Sequence, residues 1–342
     1  MQPVALDATY SIGEVLSGVG LYSREILFGL ARAHPEVRFD FWYRSHRYLR
    51  SRGEGLPPNA RRRLLAGPFG PRRARLFHGL NQRLPGVLPA RSVATFHDLF
   101  VLTCEYSTAD FRERFAAQAR DAARRADAVI AVSAFTRDQV VDLLGVERAK
   151  VAVVHHGVRR LPLPPLPREN VILNVGAIQR RKNIARLVEA FETLPSGWRL
   201  VLAGSDGYGA AEIHARIAAS PARERIVVPG YVSPADLAAW YARARIFAFP
   251  SLDEGFGMPV LEAMAAGVPV VTSDRSALPE VAGDAALLVD PVNAGALAAA
   301  LQRLAGDETL RADLSGRGTA RAALFTWEKA VKETWRVYES IW

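Results

Sequence analysis

The 342-residue chain holds one cysteine, Cys104, so no internal disulfide can form, which suits a reducing cytoplasm. Long uncharged apolar runs are missing, and nothing approaches the ~18 residues that a membrane-spanning helix needs. Residues 1–14 carry Asp7 and Glu14 and lack both a basic leader and an apolar run, so no secretory signal is expected. Cys/His pairs at zinc spacing, HExxH and GxxxxGK[ST] are all absent, which argues against a zinc site and a P-loop nucleotidase. No Asp-x-Asp pair offers itself to a Mg²⁺ under a diphosphate. No metal and no resident cofactor are therefore expected, and any diphosphate must be neutralised by side-chain cations and backbone amides.

What is present points to two domains, since 342 residues exceed what one core usually serves. Hydrophobic residues at 49% and charged residues at 23% are those of an ordinary globular chain. The formal charge of +9 is uneven: residues up to 165 carry +10 and the remainder −1. Within the first half, residues 44–75 hold ten arginines against Glu54 alone. That single segment equals the whole excess and suggests a polyanionic partner or surface.

Short β-branched runs alternate with amphipathic stretches, the pattern of βα units and parallel sheets. Strands are expected at 3–7, 38–43, 93–97, 128–132 and 151–155, then at 171–175, 199–203, 225–228, 246–249, 268–271 and 286–289. Between the two sets, residues 159–169 (RRLPLPPLPRE) contain four prolines and read as an extended interdomain connector. The last stretch, 326–342, reads as a helix with Trp327, Val331, Trp335 and Tyr338 along one face.

Four motifs can carry chemistry. In 251–273 (SLDEGFGMPVLEAMAAGVPVVTS), a strand ends at Pro250, a glycine-containing loop carries Glu254, and a helix starts near Met258 with Glu262 in its first turns. Glycines admit a ligand to the backbone, a helix N-terminus favours phosphate, and two carboxylates at a strand's carboxyl end suit sugar hydroxyls. In 176–183 (GAIQRRKN), Arg181 and Lys182 lie where a strand meets a helix, and Lys182 is one of only four lysines against forty arginines. Gly18 and Gly20 of SGVGLY can turn main-chain N–H groups towards a diphosphate, although a lone GxG is a weak signal. His97 and Asp98 form a titratable pair after a strand, where histidine more often serves structure than catalysis.

Together these residues resemble the retaining glycosyltransferases of the GT-B fold, specifically glycosyltransferase family four. The resemblance rests on Glu254 and Glu262 in an E-x7-E arrangement, on Arg181-Lys182-Asn183, and on residues 131–140, 229–251 and 278–291. It implies an α/β fold of two Rossmann-like domains facing across a cleft. An acceptor-side domain over 1–160, a linker over 161–169, a donor domain over 170–325 and a helix over 326–342 crossing back to the first domain would follow. Carried over by position, Arg181 and Lys182 would bind the donor's diphosphate, Glu262 its ribose, and Glu254 the hydroxyls of the transferred sugar. Amides of Gly255, Phe256, Gly257 and Met258 would contact sugar or phosphate, and Tyr231 and Val232 would edge the base. Gly18 and Gly20 would add N–H groups, and His97 would lie near the reacting carbon. Two departures, Arg180 in place of a proline and Ala177 in place of an arginine, leave open which of Arg180 and Arg181 is nearer the phosphates.

The implied reaction is metal-independent glycosyl transfer with retention, from a nucleotide-diphosphate sugar to a glycan or lipid-linked acceptor in surface polysaccharide or glycolipid assembly. The chain looks most like members that use GDP-mannose, with UDP-sugars as the alternative donor and a non-catalytic nucleotide-sugar scaffold as the alternative role. The arginine segment, with Leu49, Leu56, Leu64, Leu65 and Phe69 interspersed, is expected to meet anionic headgroups or an acceptor's diphosphate, or else to be a solvated loop. A cytoplasmic enzyme, peripheral on the inner face of a membrane, would result. Nucleic acid is not an expected partner, because the segment has too few aromatics for a stacking platform.

Overall fold

The computed structural model describes every residue except Met1, Glu14, Val15, Pro68 and Phe69, so the last of the segment's apolar residues lies outside the described residues. The chain divides into two compact units: one comprises residues 1–103, 108–157 and 325–342, the other 104–107 and 158–324.

In the first unit the strands are β1 (Val4–Asp7), β2 (Phe39–Arg44), β3 (Ala60–Leu65), β4 (Leu76–Gly79), β5 (Ser92–Phe96), β6 (Ala128–Ala131) and β7 (Val151–Val153). They pair in parallel in the order β3-β2-β1-β4-β5-β6-β7. Alternation along the strands sends Val4 and Leu6 of β1 and Phe39, Phe41 and Tyr43 of β2 into one core, shared with the helix Gly18–Ala33 and the C-terminal helix Trp327–Glu339. Those two helices pack directly: a Cβ on Gly29 would lie 2.4 Å from Val331 Cγ2. Val331 and Tyr338 are buried on the C-terminal helix, and Trp327 and Trp335 pack partly buried against the same core.

The second unit holds β8 (Glu169–Val175), β9 (Arg199–Ala203), β10 (Ile226–Gly230), β11 (Ala244–Phe249), β12 (Val270–Ser273) and β13 (Ala286–Val289). They are parallel in the order β10-β9-β8-β11-β12-β13. Every strand expected in this half forms. Two in the first half, β3 and β4, were not expected.

Each sheet reverses direction once, between β1 and β4 in one unit and between β8 and β11 in the other. At such a switch point the loops leave in opposite directions and open a crevice at the strands' carboxyl ends.

Over residues 44–65 the arginine segment is built into the fold. It comprises the end of β2, the short helix Ser45–Ser51 and the edge strand β3. Several of its arginines are engaged: Arg62 Nε donates to Ser51 O at 2.9 Å, Arg63 Nε lies 3.3 Å from Asp40 Oδ2, and Arg75 lies over the Trp342 ring at 3.9 Å. Arg50, Arg61, Arg72 and Arg73 are exposed, together with Leu49 and Leu64, whereas Leu56 packs against the core.

Candidate functional site

The switch point of the second sheet gathers the charged residues that the sequence singles out there. After β8 the chain makes a 3-10 turn over Arg180–Lys182, and Asn183 takes a left-handed conformation (φ 58°) before the helix Ile184–Glu192. Asn183 tolerates that geometry because its short polar side chain bonds locally, here by donating to Pro250 O (3.1 Å) and Pro291 O (2.6 Å). It thereby ties the loops after β8, β11 and β13 together.

The turn points Arg180 outwards and the next two residues inwards. Arg180 pairs with Glu212 at the surface, and Arg181 is the inward cation of the two. Arg181 and Lys182 are each 8% exposed. Arg181 Nη1 lies 3.0 Å from Glu254 Oε2 and also donates to the Asp253 carbonyl. Lys182 Nζ donates to Glu254 Oε1 at 2.5 Å and stands 4.6 Å from the centre of the Phe249 ring. Burial alone would raise the Glu254 pKa, but the two cations outweigh it and hold the carboxyl at about 2. The trio therefore carries a net charge of +1 at neutral pH.

Glu254 is fixed through its backbone as well, its N–H donating to Ser276 Oγ at 3.1 Å. Gly255, Phe256 and Gly257 follow, buried, and the helix Met258–Ala265 begins with a proline at its second position. Gly257 has φ +103°, and a Cβ there would meet Leu278 Cδ2 at 2.6 Å, so only glycine fits this turn. Glu262 is buried on that helix but does not share partners with Glu254. Its Oε1 takes 3.0 Å contacts from Arg159, and its Oε2 accepts from Tyr241 Oη at 3.1 Å. Burial raises the Glu262 pKa against the opposing pull of Arg159 and Tyr241. Tyr231 is exposed and Val232 partly so, just beyond β10.

Arg159, Tyr241, Ser276 and Asn183's bridging role escape sequence reasoning, since their partners are 21 to 108 residues away. Only the asparagine before a helix carried a local cue.

In the first unit, Gly18 and Gly20 are corrected. They form the first turn of a helix rather than a loop, and Gly20 N–H is taken by the Ser17 cap at 3.2 Å. Gly20 is glycine for packing: a Cβ would come within 2.8 Å of Tyr10 O. His97 follows β5, and because Nε2 bonds Leu80 O at 2.9 Å, that nitrogen must donate, leaving Nδ1 as the acceptor of a neutral ring. Burial pushes its pKa down. Tyr22 meets His97 edge-on, with ring centroids 4.7 Å apart.

Behind His97 lies a buried relay that the sequence did not announce. Tyr338 Oη lies 2.6 Å from His78 Nδ1, His78 Nε2 2.8 Å from Thr95 Oγ1, and Thr95 Oγ1 3.0 Å from Tyr22 Oη. Burial lowers the His78 pKa to about 3 and that of His156 well below the usual value. Both stay neutral while the unfolded chain binds protons below about pH 6.5. The stability these neutral histidines contribute is thus complete above about pH 6.5 and falls as pH drops below it, by about 1.4 kcal/mol per pH unit for each, down to about pH 3 for His78. Calorimetry between pH 7.5 and 5 should show a falling melting temperature; a flat profile would contradict the neutral assignments.

Comparison with known proteins bears on both units. Residues 17–160 match the family model described as Glycosyltransferase Family 4, and residues 162–321 match Glycosyl transferases group 1. The chain is 34% identical over 285 residues to the O-antigen chain mannosyltransferase B of Escherichia coli, covering 77% of this chain and 74% of that one. Among solved structures, sucrose-phosphate synthase from Thermosynechococcus elongatus is similar in fold (TM-score 0.79, 24% identity, 100% and 99% of the chains). So is Anabaena HepE, solved in complex with UDP and glucose (TM-score 0.73, 17% identity, 100% and 99%). Among the described residues no helix is long and apolar enough to cross a membrane.

Proposed function

The chain belongs to glycosyltransferase family four, with the GT-B pair of Rossmann-like domains, and on that premise we propose that it transfers mannose from GDP-mannose, with retention, to a glycan or lipid-linked acceptor in surface polysaccharide assembly. The observation that carries this reading is the buried Arg181–Lys182–Glu254 trio at the second sheet's switch point.

A diphosphate entering that crevice meets two cations already desolvated and already oriented by a carboxylate. As the bond from the sugar's anomeric carbon to the phosphate oxygen breaks, negative charge grows on the leaving diphosphate. Arg181, Lys182 and the amides that open the helix Met258–Ala265 stabilise it there, where low dielectric magnifies each contact. The acceptor hydroxyl attacks from the face the diphosphate leaves, and its proton passes to a departing phosphate oxygen. Glu254, kept ionised, accepts bonds from hydroxyls of the transferred sugar and supplies negative potential near the oxocarbenium-like centre. Glu262 is assigned to the ribose, where a diol can share its oxygens with Tyr241. No metal enters this scheme. The likeness to an Escherichia coli O-antigen mannosyltransferase supports mannose as the sugar and a polysaccharide as the product.

Melting the protein with a panel of nucleotide diphosphates and nucleotide sugars tests the donor. GDP and GDP-mannose should give the largest shift, with a ligand at 100 times its Kd adding roughly 2.7 kcal/mol. A larger shift with UDP or a UDP-sugar would replace the guanine assignment. The exposed arginines 50, 61, 72 and 73 with Leu49 and Leu64 are assigned to an anionic membrane surface, each cation contributing about 1 kcal/mol. Sedimentation with phosphatidylglycerol vesicles should carry the protein down at low salt and release it at high salt; no sedimentation at low salt removes the membrane from this reading.

A further inference from the structure

Among the described residues only two that are not glycine take a left-handed backbone, Asn183 (φ 58°) and Ser276 (φ 57°). L-residues avoid that region because Cβ crowds the following carbonyl, and a non-glycine residue is held there only where its surroundings over-determine it. Asparagine is among the residues that tolerate it, and the bonds from Asn183 to Pro250 O and Pro291 O account for the first case. Serine has less such tolerance. Both residues adjoin the Arg181–Lys182–Glu254 trio: Asn183 follows Lys182 in the chain, and Ser276 bonds Glu254 itself.

Ser276 belongs to the loop between β12 and the short helix Leu278–Ala282. That loop is anchored at the end of β13, where Asp274 N–H donates to Val289 O (2.9 Å) and Arg275 Nη2 donates to Asp290 Oδ1 (2.7 Å). From there it grips Glu254 at two points. Ser276 Oγ accepts from the Glu254 N–H at 3.1 Å, and the Ala277 N–H donates to Glu254 O at 3.2 Å. The hydroxyl proton is used as well, donated to Arg275 O at 2.7 Å, so the lone pair that meets Glu254 has a fixed direction. Leu278 lies 2.6 Å from where a Cβ on Gly257 would stand, so the same loop also backs the glycine turn after Glu254.

A turn with no task beyond its own shape would be better made of glycine, which takes φ near +57° without strain. The Ala277 N–H is a backbone group and owes nothing to the side chain at 276. What serine adds over glycine is Oγ, and the partner of that atom is the residue whose carboxylate orients Arg181 and Lys182.

We propose that Ser276 is a positioning residue for the transfer step: its left-handed backbone places Oγ to fix the Glu254 main chain, and with it the carboxylate that holds the two cations and meets the transferred sugar. Ser276 acts through Glu254 rather than on substrate, and the proposal rests on the reading of Glu254 given above. A carboxylate that drifts takes Arg181 and Lys182 with it, away from the oxygens of the leaving diphosphate, and a misplacement of about 1 Å is enough to cost on the order of 10²-fold in rate.

Two substitutions in the full chain separate the oxygen from the backbone. Ser276→Gly relieves the strain and removes Oγ; it should melt within about 2 °C of the native protein, keep the donor KM within about threefold, and lose about tenfold or more in kcat. Ser276→Thr keeps an oxygen on Cβ but sets a β-branched residue at positive φ; it should melt lower than Ser276→Gly and yet turn over at least about threefold faster than it. A serine that only stabilised the turn would make turnover follow melting temperature, which reverses that order. The rate is read as nucleoside diphosphate released from the nucleotide sugar that gives the largest melting shift. A second readout needs no turnover. With ¹⁵N-labelled lysine side chains the protein has only four ammonium groups to observe, and the one lost in Lys182→Ala belongs to Lys182. That signal should move in Ser276→Gly and stay near its native position in Ser276→Thr. Turnover that tracks melting temperature, a loss confined to KM, or a Lys182 signal unmoved in Ser276→Gly would each overturn the proposal. A native chain that turns over no nucleotide sugar would instead refute the donor reading, and the Lys182 signal would still decide this one.

Discussion

Lys182→Ala will keep its fold and lose at least ~10²-fold in kcat, the usual consequence of deleting one preorganised group that meets developing charge. The native trio of Arg181, Lys182 and Glu254 sums to +1, so an arriving diphosphate finds net positive charge. Without Lys182 the remaining pair is neutral, and the leaving group's growing charge is met by a guanidinium already committed to Glu254 at 3.0 Å. The fold survives because Glu254 keeps that partner, so no buried carboxylate is left alone, the situation that costs several kcal/mol when both cations are lost.

Lys182→Arg should not restore turnover. The ammonium sits 4.6 Å from the Phe249 ring centre and 2.5 Å from Glu254 Oε1 in a slot sized for a point charge, and a planar fork needs different room. Release of nucleoside diphosphate from the nucleotide sugar that gives the largest melting shift supplies the rate, and far-UV dichroism supplies the check on folding. Full turnover in Lys182→Ala would sink the catalytic assignment of the trio. Glu254→Gln gives the complementary measurement: it raises the net charge to +2, so nucleotide diphosphate should bind at least as tightly while transfer falls.

The second unit was legible because its chemistry is local in sequence. Arg181 and Lys182 are adjacent, Glu254 and Glu262 lie on one loop–helix segment, and all six strands are apolar runs bounded by turns. The first unit was harder for physical reasons. Strand β3 (ARRRLL) is an edge strand with only Ala60 buried, so it shows charge where a pattern search looks for apolar alternation. Strand β4 (LFHG) is four residues long and buried on both faces, too short for any period to register. Gly20 looked like part of a ligand loop because a glycine needed for close packing and one needed for an anion are the same letter.

Tyr338 decides whether the C-terminal helix is a structural part of the first unit or an appendage. Its ring is fully buried, edge-on to His78 at 5.5 Å between centroids, and its hydroxyl closes the relay through His78 and Thr95 to Tyr22. Because burial keeps His78 neutral, its ring has one donor and one acceptor, and both are used. Tyr338→Phe leaves one ring nitrogen unpaired in the core, which costs about 1–3 kcal/mol. Tyr338→Ala adds a cavity the size of an aromatic ring, bringing the loss to about 4–6 kcal/mol. For a unit of this size each kcal/mol lowers the melting temperature by about 2–4 °C, so the two variants should melt about 2–12 °C and about 8–24 °C lower. If the helix is only draped on the surface, both shifts will be within a degree or two, and the relay would then contribute nothing to stability. The Phe variant carries a further signature. With its hydrogen bond gone, His78 has less reason to hold one tautomer, and the Tyr22 ring that backs His97 at 4.7 Å is less firmly placed. Its nitrogen resonances, and those of His97, should shift in ¹⁵N-edited spectra even where the fold persists, whereas a purely local loss of packing would leave His97 unmoved.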